Sequence, residues 1–164
     1  MQLTPILGPN GERWKPTHGV LPFSSVPQHH VDFEALLDEY RERMTAHKVT
    51  LTRMLMSFSS HCFIYEPTFL WEDEQTIYHK RVFPPELLPN KPVHPANPEG
   101  RALVKEIKHR IIELCVKNGA SHMQVGKDYP YIETRTPEVA ALVRSLKQTL
   151  DPDGLMNPGA LGLQ

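Results

Sequence analysis

Side chains that could do chemistry crowd into one stretch, where Lys127, Tyr129 and Tyr131 follow His122 and Gln124. A lysine ammonium and two phenol hydroxyls can hold a phenolate or a carboxylate by charge and hydrogen bonds. The same types also suit an ordinary loop with two aromatic anchors. His61 and Glu66 share an apolar run, but a metal needs several converging ligands, so no metal centre is expected. His29-His30 reads as a solvated turn and Glu72-Asp73-Glu74 as a solvated acidic loop. No nucleophile–base arrangement and no pair of cysteines two residues apart is present.

The elements that must position these residues belong to an ordinary globular chain. It has 164 residues, 40% hydrophobic and 23% charged, enough for one domain with a real core. A net charge of −1 leaves no basic surplus, so nucleic acid is not the expected partner. No apolar run reaches the length of a membrane span, and Met1-Gln2-Leu3-Thr4-Pro5 lacks the parts of a signal peptide. Cys62 and Cys115 are expected as buried thiols rather than a disulfide, in the cytoplasm.

Along the chain, residues 1–16 read as an extended arm punctuated by Pro5, Gly8-Pro9-Asn10-Gly11 and Pro16, with Trp14 as an anchor. Residues 17–164 form the domain. A strand is expected over Gly19–Val26, ended by Pro27, and a helix from an Asp32 cap to about Lys48. Val49–Phe58 alternates, with Met54, Met56 and Phe58 on one side and Arg53 and Ser57 on the other. A turn at Ser59-Ser60 leads into a second strand over His61–Trp71. Six prolines between Pro84 and Pro98 mark a long loop. Asn97 caps the next helix, Pro98 opens it and Asn118-Gly119 closes it. Ser121–Val125 reads as a short strand.

The order strand, helix, strand, strand, helix, strand, then a last helix implies an α+β fold of the ferredoxin-like type. Helices cover one face of its antiparallel sheet. The other face must meet solvent or a partner. In the last helix, Thr136 is the N-cap and Pro137 the first helical residue. Val139, Leu142, Val143, Leu146 and Leu150 make one apolar stripe, and the tail behind the helix is expected to pack back on the core. Leu155 and Met156 in the tail also call for burial.

That helix and its tail, Leu150-Asp151-Pro152-Asp153-Gly154-Leu155-Met156-Asn157-Pro158-Gly159, resemble the C-terminal end of FAD-linked oxidases of the vanillyl-alcohol oxidase, para-cresol methylhydroxylase and D-lactate dehydrogenase type. The resemblance runs roughly from Thr17 to Leu161. It rests on this signature, on Asn118-Gly119 and on the His18-Gly19-Val20-Leu21-Pro22-Phe23-Ser24 start. It implies the cap, or substrate-binding, part of an FAD-dependent oxidoreductase that takes hydride from an aromatic alcohol, an alkylphenol or a hydroxy acid. An FAD-binding domain or subunit would be the partner. The nine glycines here are scattered, with only Gly8/Gly11 and Gly159/Gly162 close and neither pair between a strand and a helix. A cradle for the FAD pyrophosphate is therefore expected elsewhere, and the chain alone should be inactive.

By the same resemblance, His122 stands where lactate-oxidising relatives carry a histidine, and Gln124 near a substrate-holding pair of the phenol oxidisers. His122 and Tyr129 become catalytic candidates, and Tyr131, Lys127, Gln124 and His61 substrate-binding ones. His18 falls near the strand that bears a flavin-linked histidine, and Asn157 lies in the closing signature beside the flavin. Both are cofactor-binding candidates. The alternative is a non-catalytic ferredoxin-like module that binds a small ligand or forms a homodimer through its sheet.

Overall fold

Val49–Phe58 (β3) and Cys62–Trp71 (β4) pair antiparallel along their whole length, from Val49 opposite Trp71 to Phe58 opposite Cys62. Both are rich in residues that fit a pleated surface. Ser59, at φ 66°, makes the turn between them. This is a computed structural model, and it describes residues 7–83, 85–124 and 126–163. The first six residues of the expected arm, Pro84 of the long loop, Val125 of the expected last strand and Gln164 lie outside the described residues.

The other edge of β4 takes Arg13–Pro16 (β1) and Gly19–Pro22 (β2), both antiparallel. One register runs through the two. Pro16 faces Thr68 and Gly19 faces Tyr65, so Thr17 and His18 stand opposite Pro67 and Glu66. Pro67 has no N–H to return, which interrupts the ladder there. The Thr17 N–H still donates to the Pro67 carbonyl at 2.9 Å. The last part of the expected arm is therefore a strand of the sheet, because the backbone of Arg13–Pro16 finds partners on β4.

Val26–Ala46 (α1) and Pro98–Lys117 (α3) pack on one face of this sheet. Strand alternation sends Leu21, Val49, Tyr65, Phe69 and Trp71 to that face, where they join Phe33, Leu36, Tyr40, Leu103, Ile107 and Ile111 in the core. Tyr65 lies between the rings of His29 and Phe33, at 4.9 and 5.0 Å between centroids. A Cβ on Gly19 would come within 2.7 Å of the Cys115 sulfur, so only glycine lets α3 sit this close to β2. The architecture is α+β, a four-stranded antiparallel sheet with four α-helices among the described residues.

Several local expectations change. The first strand stops at Pro22, and α1 begins at Val26 with Pro27 in its first turn. A proline suits a helix start as well as a strand end, and here the helix wins. His29 is consequently a fully buried helical residue, not a solvated turn. The long proline-rich connection contains a short helix, Ile77–Val82 (α2), held by a capping box between Thr76 and His79. Asp73, expected in solvent, is wholly buried. It accepts hydrogen bonds from the Trp71 indole and the Glu74 and Asn97 amides, and pairs with Arg101 and Arg13. Burial alone would raise its pKa, but the amide, indole and guanidinium donors outweigh that and hold it below the usual range.

The expected last strand shrinks to one bridge, in which Ser121 and Val20 exchange both backbone hydrogen bonds at 2.8 and 2.9 Å. Pro137–Leu150 (α4) starts where expected, with the Thr136 hydroxyl accepting from the Val139 amide. Its stripe does not pack back on the core. Only Ala140 is buried, while Val139, Leu142, Leu146 and Leu150 are exposed, as are Leu155 and Met156 in the tail. Ala140 and the half-buried Val143 meet Ile132, Tyr131, Leu161 and Leu163 in a separate small cluster. Cys115 is buried and Cys62 half-buried, both as free thiols, as expected.

Candidate functional site

The outer edge of β1–β2 continues beyond the Ser121 bridge only by side chains. Tyr129 and His122 occupy the positions that a neighbouring strand would fill. The His18 N–H donates to the Tyr129 hydroxyl at 3.2 Å, and the His122 ring donates through Nδ1 to the His18 carbonyl at 2.8 Å. A carbonyl can only accept, so the neutral His122 ring carries its proton on Nδ1 and its lone pair on Nε2. That Nε2 is buried and has no hydrogen-bond partner among the described residues. Burial lowers the His122 pKa, against the pull of the His18 carbonyl.

The His18 ring is fixed with equal clarity. It is 3% exposed, and its Nε2 accepts the amide N–H groups of Met123 at 2.9 Å and Gln124 at 3.4 Å. The proton therefore sits on Nδ1. Burial first, then the nearby His122 and Lys108, pushes its pKa down to about 4, so the ring is neutral at physiological pH. His122 stacks on Tyr129 at 4.5 Å between centroids, and His18 packs on the same ring at 4.7 Å. Tyr129 also donates to the Thr17 hydroxyl at 3.4 Å and carries the Lys108 ammonium 5.3 Å from its ring centre. Lys108 is anchored by Asp128 at 2.6 Å.

The sequence candidates thus divide. His18, His122 and Tyr129 form one packed cluster, with the Gln124 amide at its edge. Lys127 is exposed and lines a cleft of about 480 Å³ with Asp128, Tyr129, Glu133 and Gly159. Tyr131 is half-buried under the Arg135 guanidinium and lines a second cleft, of about 420 Å³, with Ser121 and Thr134. His61 sits exposed at the tip of the β3–β4 hairpin, with Nδ1 3.2 Å from the Ser60 hydroxyl. Asn157 lies in an exposed turn of the tail at φ 46°, and the tail returns to the loop through the Leu161 N–H and the Gly126 carbonyl at 2.7 Å.

The sheet face away from α1 and α3 is the other half of the site. Its rows hold Trp14, Pro16, His18 and Val20, then Cys62, Ile64, Glu66, Thr68 and Leu70, then Thr50, Thr52, Met54, Met56 and Phe58. Met54, Met56 and Phe58 are each 46% exposed. Such an apolar platform suits a flat, largely apolar ring. The described residues offer no clustered glycines for the pyrophosphate of an FAD. No group of three or more His, Cys, Asp or Glu among them could hold a metal. No helix of the described residues is long and apolar enough to cross a membrane.

Thr17, Lys108 and Asp128 support Tyr129 without a signal in the sequence, because nothing in their spacing links strand, helix and loop. Glu66 has such a signal, since the alternation of β4 puts it on the open face. Among known proteins, the family model for FAD linked oxidases, C-terminal domain, matches residues 86–161. The match spans α3, the Ser121 bridge, the loop holding Tyr129, α4 and the tail. No curated protein and no solved structure matches the chain significantly.

Proposed function

We propose that this chain, whose residues 86–161 belong to the C-terminal domain family of FAD-linked oxidases, is the substrate-binding cap of an FAD-dependent oxidoreductase. It would oxidise an aromatic alcohol, an alkylphenol or a hydroxy acid. The observation that carries this reading is the apolar sheet face left without a helix, beside the His18–His122–Tyr129 cluster. Bound FAD would supply the hydride acceptor. An FAD-binding domain or subunit would hold its pyrophosphate and close over the open face.

In this reading His122 Nε2, a buried lone pair with no partner among the described residues, takes the substrate hydroxyl proton. Tyr129 positions that ring by stacking and keeps its own hydroxyl on the His18 amide. Gln124, at the edge of the cluster, binds an outlying polar group of the substrate, whereas Lys127 and Tyr131, in two separate clefts, and His61, at the hairpin tip, stand apart from it. His18 and Asn157 face the cofactor, His18 through its ring edge rather than through Nε2, which the Met123 amide already occupies.

The test is to assemble the chain with an FAD-binding part and add candidate substrates anaerobically. Bleaching of the flavin absorbance that requires this chain is the expected result. A bound flavin that no aromatic alcohol, alkylphenol or hydroxy acid reduces would overturn the reading. The exposed stripe of α4 favours a second reading, a non-catalytic module that dimerises or binds a small ligand. That reading predicts a stable dimer whose formation Leu142→Ser and Leu146→Ser abolish, with no effect of any FAD-binding part.

A further inference from the structure

The open sheet face carries one acidic residue, and it stands at the centre. Glu66 lies opposite Met54 on β3 and, in the continued register, opposite His18 on the β1–β2 edge. Its neighbours along the same row are Ile64 and Thr68. No hydrogen bond or ion pair among the described residues reaches its carboxyl. Of the groups that face it, only His18 and Cys62 titrate, and His18 is held neutral. No lysine or arginine lies in these rows, since Arg53 on β3 points to the covered face and pairs with Glu34 at 2.7 Å. A half-buried carboxyl without a partner is costly unless something supplies a donor. Burial accordingly raises its pKa.

Resting on the cap reading above, we propose that Glu66 is the specificity-determining anchor of the open face. Its carboxyl hydrogen-bonds the hydroxyl of an uncharged, largely apolar ligand lying on Met54, Met56 and Phe58. The same carboxyl disfavours a ligand that carries its own carboxylate, because the rows offer no cation to compensate the like charge. The face is then built for an alcohol with an apolar body rather than for a hydroxy acid.

Benzyl alcohol and mandelate test this directly, since they share one body and differ by a carboxylate. Their binding to the full chain is followed at neutral pH through the methyl NMR signals of Met54 and Met56. Benzyl alcohol should shift both methyls, with mandelate at least about tenfold weaker, and Glu66→Leu should weaken benzyl alcohol by about tenfold. Glu66→Gln, which keeps the hydrogen bond and removes the charge, should hold benzyl alcohol within about threefold and narrow the gap to mandelate. Unchanged amide spectra outside the open face confirm that each variant is folded. Equal or tighter binding of mandelate by the natural chain, or no effect of Glu66→Leu, overturns the proposal. The flavin assembly separates the two ideas. Alcohol selectivity at the methyls without flavin reduction sinks the cap reading alone. Reduction by mandelate and not by benzyl alcohol sinks the Glu66 assignment alone.

Discussion

The two faces of the sheet are drawn from the same strands, yet they are covered unequally. Along the edge strand β3 both sides are exposed, Leu55 on the helix side at 48%, and at the centre of the open face Ile64 and Thr68 are buried. On the covered face Tyr65, Phe69 and Trp71 are buried against α1 and α3. One residue along, Met54, Met56 and Phe58 stand nearly half exposed. The open face is almost as apolar as the covered one. A soluble chain rarely leaves such a surface bare unless something is meant to rest on it. The covered face is aromatic and interlocked, which gives a single packing. The open face leans on methionines, whose flexible thioethers adapt to what they meet. Each face holds one buried histidine, His29 on the covered side and His18 at the open side, and both are pushed to a pKa of about 4 chiefly by burial.

If that contrast is right, truncation should separate the faces sharply. Phe69→Ala on the covered side should cost about 3–5 kcal/mol of unfolding free energy, measured by urea denaturation. A loss below about 1 kcal/mol would mean that the core does not sit where it is described. Acid should act through both histidines. Each is neutral in the folded chain and gains a proton on unfolding, so the unfolded state binds more protons below its ordinary pKa of about 6.5. Their contribution is full above that value and falls by about 1.4 kcal/mol per pH unit for each, down to about pH 4. Thermal midpoints from pH 7 to 4 should show this fall, and His18→Gln should make it shallower.

At the edge between the faces, Tyr129→Phe removes the acceptor of the buried His18 N–H and should cost about 1–3 kcal/mol. An unchanged midpoint would show that water replaces the phenol hydroxyl. Smallest of all, Met54→Ser or Met56→Ser should change stability by no more than about 0.5 kcal/mol. Both should nevertheless weaken association with an FAD-binding part, read by sedimentation. A strong loss of stability in either would place these methionines in the core and erase the difference between the faces.

Much of the fold was legible because local physics carries it. The alternation of Val49–Phe58, the Asn97 cap, the Asn118-Gly119 stop and the Thr136-Pro137 start all stand where spacing placed them. The misreadings share one cause. Pro27 fits a strand end and a helix start alike, so local sequence places His29 in a solvated turn. Asp73 is charged, so local sequence places it in solvent. Both are decided by partners distant in the chain, Tyr65 for one and Arg101 with Asn97 for the other. The stripe of α4 was legible as a stripe, but where it would pack was not.

The candidate site divides in the same way. His122, Tyr129 and His18 were individually visible, and the tail signature pointed to an FAD-linked oxidase C-terminal domain, the family whose model matches residues 86–161. Periodicity, caps and turn residues determined which segments become strands and helices, since those preferences act within a few residues. Tertiary structure alone decided that His122 and Tyr129 complete the edge of a strand more than a hundred residues earlier, and that Glu66 stands at the centre of an open apolar face. Which face of a two-sided strand is covered depends on what packs there, and a period of two is blind to it.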